Sequence, residues 1–294
     1  MDSLNEDNNE IEHKRRMSSW RWEMSPMIND LDDIPIAAYD LIDVDYYRNK
    51  GANVMMSRGC VYDCSFCATK TIHGMGVRYK SKQRFYDEIN HLVNELKFKT
   101  IMIQDDMIGA HKDRFFDMID VLAQFKNQAK YLFPNGLAVT YTDEEMLDAY
   151  CEIGVERFLF SIESGTEYTM RHMVRKGKGV DLNKTKRLIN YLRGKNKQVD
   201  ANFILGFPGE TVELMQKTID YIHTLNLDWA FIFSALPLPG TRIFKDFCDQ
   251  GIINKDKFDF DGLRHGRRTF DTPEISANNL EKLVYDANIH YNFF

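Results

Sequence analysis

Gly59-Cys60-Val61-Tyr62-Asp63-Cys64-Ser65-Phe66-Cys67 gathers three of the chain's five cysteines into one short stretch, spaced C-x3-C-x2-C. Three neighbouring thiols do not divide into disulfide pairs, and a tetrahedral zinc site normally takes a fourth ligand. Three thiolates on one loop suit three irons of a cubane cluster and leave the fourth iron open to a ligand that is not protein. An open iron is a site for chemistry, whereas a fully ligated cluster is more naturally an electron carrier. The plain alternative is three inert cysteines packed as small hydrophobes. Buried cysteines, however, have no reason to gather between Gly59 and the polar Asp63-Cys64-Ser65 run.

The rest of the composition bounds the class. With 294 residues the chain can bury one large core, and α/β barrels reach this length as single domains. A hydrophobic content of 44% and a charged content of 28% are ordinary for a globular protein. The net charge of -6 argues against general affinity for nucleic-acid backbones. An odd number of cysteines with three in one loop does not read as a disulfide framework and points to a reducing compartment. No apolar run approaches the ~20 residues that span a bilayer. Met1-Asp2-Ser3-Leu4-Asn5-Glu6-Asp7 is polar and acidic, unlike a signal peptide. A soluble, cytoplasmic protein with no membrane association is expected.

Residues 1–48 carry no strong periodicity and read as an arm, charged at first and then extended around Pro35, with Trp20 and Trp22 as anchors against the body. From Asn53 strand and helix alternate. Strands are expected at Val54–Ser57, Thr100–Gln104, Tyr131–Phe133 or Gly136–Val139, Arg157–Ile162, Ala201–Leu205 and Trp229–Phe233. Between them lie amphipathic helices, among them Ser81–Leu96, whose Phe85, Ile89, Leu92, Val93 and Leu96 form one stripe, and one opened by a Thr142 cap. Parallel neighbours need helical crossovers, so the fold class is α/β. Six units give an open, partial (β/α)6 barrel with a parallel sheet. It carries an N-terminal extended arm (1–48), a core (49–240) and a C-terminal helical extension (241–294).

Active groups in such barrels sit at the C-terminal ends of the strands. There the sequence places Asp105-Asp106, Ser161-Ile162-Glu163, and the tight turn Gly206-Phe207-Pro208-Gly209-Glu210. Strand alternation puts Ser161 and Glu163 on one side. Cys151 and Cys248 read as core packing, and none of the eight histidines has metal-ligand spacing. Arg264, His265, Arg267 and Arg268 form a basic group that either binds an anionic substrate or packs on an acidic surface.

The C-x3-C-x-aromatic-C pattern, with Phe66 before the last cysteine, resembles the signature of the radical SAM superfamily. The resemblance covers about Asn53 to Gly240. It implies an enzyme with a 4Fe-4S cluster on Cys60, Cys64 and Cys67. The open iron would chelate S-adenosylmethionine, which the reduced cluster cleaves to a 5'-deoxyadenosyl radical. It further implies that Phe66, Asp105, Ser161, Glu163, Ile204 and Gly206 help hold that cofactor. At least one of Asp105 and Asp106, with Asp105 named first, would meet the amine unless the pair is a solvated turn. Glu163 would meet the ribose hydroxyls unless it caps the next helix, Ile204 the adenine face, and Gly206 would give the ring clearance. Arg171, His172, Arg175, Lys176 and Lys178 read first as a solvated basic loop, and the resemblance would let one of these cations meet the carboxylate. The linker through Ala38-Tyr39-Asp40-Leu41 and the segment Leu236-Pro237-Leu238-Pro239-Gly240 most resemble the cobalamin-associated branch. Its cobalamin-binding domain is absent here, which leaves open a truncated member, cobalamin from a separate chain, or no cobalamin. Methylation or rearrangement of a small-molecule or natural-product carbon is the implied reaction, with flavodoxin or ferredoxin as reductant. A tRNA methylthiotransferase-like enzyme, a non-catalytic iron-sulfur electron-transfer protein and a zinc-binding module are the other readings.

Overall fold

The computed structural model describes residues 27–176, 181–259, 263 and 268–294. Trp20, Trp22, Lys178, Arg264, His265 and Arg267 lie outside the described residues. In chain order the strands are β1 (Ala52–Val54), β2 (Ser57–Arg58), β3 (Arg78–Tyr79), β4 (Thr100–Ile103), β5 (Lys130–Leu132), β6 (Arg157–Glu163), β7 (Gln198–Leu205) and β8 (Trp229–Ser234). Two parallel sheets form, β1-β4-β5 and β6-β7-β8. Leu137 joins them through a parallel bridge to Phe160, its N–H donating to Leu159 O at 2.7 Å and its carbonyl accepting from Ser161 N at 3.1 Å. Six parallel strand positions therefore follow one another in chain order, as an open (β/α)6 arrangement requires.

Two strand expectations are corrected in detail. Both candidates for the third strand are used: Lys130–Leu132 pairs with β4, and Leu137 reaches across to β6. The first strand ends at Val54 rather than Ser57, because the amides of Met56 and Ser57 donate to the Asp105 carboxylate at 2.9 and 2.8 Å. Freed from the sheet, Ser57–Arg58 pairs antiparallel with Arg78–Tyr79, a small ribbon that the sequence pattern does not announce.

The helices are α1 (Val44–Arg48), α2 (Thr69–His73), α3 (Lys82–Asn90, running on through a π turn His91–Glu95), α4 (Lys112–Ala123), α5 (Glu144–Glu152), α6 (Leu182–Gly194), α7 (Val212–Ile222), α8 (Arg242–Asp249) and α9 (Ala277–Phe293). Ser81 caps α3 by accepting from Arg84 N. Asp143, not Thr142, caps α5, accepting from Met146 N, while the Thr142 hydroxyl turns back to Ala138 O. No described helix is long and apolar enough to cross a membrane.

The strands are buried on one face beneath these helices, where Phe160, Phe203 and Ile232 point. On the other face Met102, Ser161, Asn202, Ile204 and Phe231 remain half-exposed. The free edge of β8 is covered by α9 in an unusual way. Asn288 and Asn292, one helical turn apart, each present a side-chain amide to the strand. Asn288 pairs with Ile232 N and O (3.1 and 2.8 Å), and Asn292 with Ala230 N and O (2.9 and 2.9 Å). Two amides thus stand in for a neighbouring strand and blunt an edge that would otherwise template aggregation.

Candidate metal centre

The cysteine loop runs from β2 to α2, at the C-terminal ends of the strands, and is pinned at several points. Gly59 enters with φ +97, and a Cβ there would lie 2.3 Å from Gly76 O. Gly59 N–H donates to the Asp106 carboxylate at 2.9 Å. Ser65 N–H donates to Val174 O at 2.9 Å and its hydroxyl to Met173 O at 2.5 Å, while Ser65 O accepts from Ile243 N at 2.9 Å. Asp63 is held by Lys70 at 3.0 Å and Arg242 at 2.8 Å. Thr71 donates to Gly240 O at 2.9 Å, which docks α2 on the Pro-Gly segment.

Within this frame Cys60, Cys64 and Cys67 are free thiols, partly exposed. Burial pushes the Cys60 thiol up, and pushes Cys64 up to about 12, against the pull of the Lys176 cation. Thiols in that state bind metal by releasing protons. Cys60 Sγ accepts from Tyr62 N at 3.4 Å, and the Cys67 thiol contacts Thr69 Oγ1 at 3.2 Å. Among the described residues no three His, Cys, Asp or Glu side chains converge on a single-ion position. Three thiols that each take a different iron of a cubane need not converge so closely. The donor set, soft and free with no carboxylate or imidazole among it, fits a 4Fe-4S cluster with one iron unclaimed by protein.

Phe66 turns away from the loop to meet Phe207, ring centroids 6.1 Å apart. Beside Cys64 lies a buried ion pair. Lys176 Nζ stands 2.9 Å from Glu163 Oε1 and 2.7 Å from Ser161 O, with the Tyr62 ring centroid at 5.7 Å. Burial alone would lower the Lys176 pKa, but Glu163 and the Cys64 sulfur hold it above the ordinary value. Of the described cations after β6, Lys176 is the buried one: Arg171 and His172 are exposed and Arg175 faces Asp246 at 3.7 Å. Strand alternation does not align Ser161 with Glu163 as expected. A register shift falls between them, and Glu163 adopts φ +75, which re-aims its carboxylate toward Lys176.

Two expected ligand contacts are redirected by the geometry. Asp105 is buried, with one oxygen accepting from Met56 N and the other from Ser57 N and Ser57 Oγ. Its carboxylate therefore ties β4 to the start of the cysteine loop, where it was expected to meet an amine; burial pushes its pKa up to about 6. Its neighbour Asp106 is the acid that faces the loop, accepting from Gly59 N and lying 3.7 Å from His73 Nε2. Gly206 was expected to clear space for a planar ring. Its φ of +84 instead aims the missing side chain at α9, where a Cβ would lie 2.7 Å from Leu280 Cδ2. Its N–H donates to Glu210 at 2.7 Å and its carbonyl accepts from Arg268 at 3.0 Å, so its polar groups are used within the protein. Ile204 stays half-exposed on the open face of β7, in register with Phe233. Cys151 and Cys248 pack against the core, as expected.

The family model described as the radical SAM superfamily matches residues 54–222, more than half of the chain. A cytidylyl-2-hydroxyethylphosphonate methyltransferase of Streptomyces wedmorensis is 28% identical over 252 residues, covering 80% of this chain and 46% of that protein. An uncharacterised methyltransferase of Pyrococcus horikoshii is 30% identical over 231 residues, covering 75% and 48%. The chain thus spans about half the length of the curated relatives it matches. Among solved structures, the radical S-adenosylmethionine methyltransferase TsrM from Kitasatospora setae, with cobalamin and a 4Fe-4S cluster bound, superposes with a TM-score of 0.60 at 17% identity. That match covers 70% of this chain and 38% of the other.

Proposed function

The chain belongs to the radical SAM superfamily, and we propose that its half-exposed sheet face and cysteine loop together bind S-adenosylmethionine for methyl transfer to a small-molecule carbon. The observation that carries this is the set of three free thiols on a pinned loop, beside a buried Lys-Glu pair whose charges act on Cys64. When bound, the cluster supplies the electron that opens the sulfonium of S-adenosylmethionine and leaves a radical on the adenosyl carbon.

This chain's residues hold and orient. Cys60, Cys64 and Cys67 take three irons. Phe66 braces the loop against Phe207. Lys176 offers a cation to the methionine carboxylate, and Glu163 can accept from ribose hydroxyls while keeping one oxygen on Lys176. Ser161 and Ile204 line the face on which nucleoside would lie. Asp105 acts behind this site by holding the loop's entry, and Gly206 by its packing on α9. Residues 49–240 form the radical SAM unit in this reading, with 1–48 and 241–294 as flanking arm and extension. A flavodoxin or ferredoxin of the cytoplasm supplies electrons, and cobalamin, where the reaction uses it, is brought by another domain or chain.

Anaerobic reconstitution followed by metal and sulfide analysis tests the site. About four irons and four sulfides per chain are expected, falling sharply in Cys64→Ala; zinc without sulfide would overturn the assignment. Formation of S-adenosylhomocysteine by protein supplied with cobalamin separates methyl transfer from reactions that yield 5'-deoxyadenosine alone.

A further inference from the structure

Arg268 is a buried arginine, 2% exposed; Glu274 and Asp271 lie near enough to favour its charge, but neither pairs with it directly among the described residues. Its guanidinium instead donates to the carbonyls of Gly206 (3.0 Å) and Ile275 (3.2 Å), with Thr272 Oγ1 at 3.5 Å and the Phe270 ring centroid at 5.3 Å. Its Nε is buried without a partner among the described residues. A charge in this position costs several kcal/mol unless its hydrogen bonds compensate, so an arginine kept here for packing alone would be a poor choice against leucine or methionine.

What it grips is the turn after β7. Gly206 N and Phe207 N both donate to Glu210 Oε2, at 2.7 and 3.1 Å, and Thr169 Oγ1 donates to Glu210 Oε1 at 3.3 Å. From this turn two routes lead to the cysteine loop. One is the ring contact of Phe207 with Phe66, between Cys64 and Cys67. The other passes from Thr169 along the π turn Met170–Val174, whose last two carbonyls, Met173 and Val174, accept from Ser65. Each link is a hydrogen bond or a packed ring.

We propose that Arg268 is a positioning residue through which the C-terminal extension sets the turn Gly206–Glu210 and, by way of Phe207 and Phe66, the cluster loop against S-adenosylmethionine. This rests on the reading that the loop carries the cluster and the adjoining face takes S-adenosylmethionine. Arg268 itself touches neither. Its loss leaves the Gly206 carbonyl buried without a donor and lets the turn shift toward Leu280.

The test uses the reconstituted full chain, with two readouts: S-adenosylmethionine affinity by anaerobic equilibrium dialysis, and the change that S-adenosylmethionine produces in the EPR spectrum of the reduced cluster. Arg268→Met is expected to weaken binding about tenfold, the value of one hydrogen bond to a charged group, and to alter the EPR change at unaltered iron and sulfide content. Phe207→Leu, which cuts the ring link, is expected to act in the same direction. The double variant is expected to lose less than the product of the two single losses, since both break one path. Losses that multiply, or an Arg268→Met protein with wild-type affinity and spectrum, overturn the proposal. Should Arg268→Met fail to fold, Arg268→Lys replaces it in the same cycle. A wild-type spectrum that S-adenosylmethionine leaves untouched overturns instead the reading on which the proposal rests.

Discussion

The cysteine loop and the turn after β7 lie against each other, yet they use their polar groups in opposite ways. In the loop the backbone is secured by Asp106, Val174 and Ile243, while among the described residues the thiols have only the weak contacts of Cys60 with Tyr62 N and Cys67 with Thr69 Oγ1. In the turn the donors of Gly206 and Phe207, the carbonyl of Gly206 and both oxygens of Glu210 are consumed internally. Both stretches look ligand-facing in sequence. Only the first keeps donors in reserve for a ligand, and the second is scaffolding that holds the first in place. Unspent chemistry, rather than position at a strand end, separates the two.

The largest effect expected from this contrast is at the loop. Cys64→Ala should abolish the intact cluster, read as loss of the iron-sulfur absorption and of sulfide, with the fold retained by circular dichroism. Full cluster occupancy in that variant would break the comparison. Next comes the buried ion pair beside the loop. Lys176→Met strands Glu163 as a buried charge and should cost about 3–5 kcal/mol in denaturant unfolding; a change below ~1 kcal/mol would mean that Glu163 is already solvated.

Glu210 offers a pH test of the turn. Burial pushes its pKa from 4.5 up to about 7. The native state therefore holds the proton more tightly than the unfolded chain. The stability this contributes is full below pH ~4.5 and is lost as pH rises through ~7, by an amount of order 3 kcal/mol. Glu210→Gln should flatten that part of the stability profile between pH 5 and 8, and an unchanged profile would contradict the burial of an ionisable turn. Smallest is Gly206→Ala, which combines positive φ with overlap on Leu280 and should cost about 1–3 kcal/mol in thermal or denaturant unfolding. A neutral result would show that α9 yields to the turn.

Much of this was legible in the sequence. The loop announces itself because soft ligands at fixed short spacing need no tertiary context to be recognised. The strands show as apolar runs bounded by turn residues, and the alternation with helices implies their parallel pairing. What the pattern did not resolve depends on direction rather than on residue type. Asp105 and Asp106 are adjacent and chemically alike, and which one faces the loop is decided by where Met56 and Ser57 leave the sheet. The bulge at Glu163 defeats alternation, and a glycine's φ does not say which neighbour fills its missing side chain. Lys176 stood among several loop cations, and only the folded loop buries it. Arg268 reads with Arg264, His265 and Arg267 as a group that binds an anion or packs on an acidic surface, because basic composition says nothing of which member turns inward; Arg268 is instead buried on the carbonyls of Gly206 and Ile275.

The central claim is that the loop carries a cluster able to cleave S-adenosylmethionine. Reconstituted wild-type protein and Cys64→Ala, reduced anaerobically with S-adenosylmethionine, should be assayed side by side for 5'-deoxyadenosine. Formation by the wild type and none by the variant is the expected result. A wild-type protein with its cluster fully loaded and reduced that forms no 5'-deoxyadenosine would contradict it.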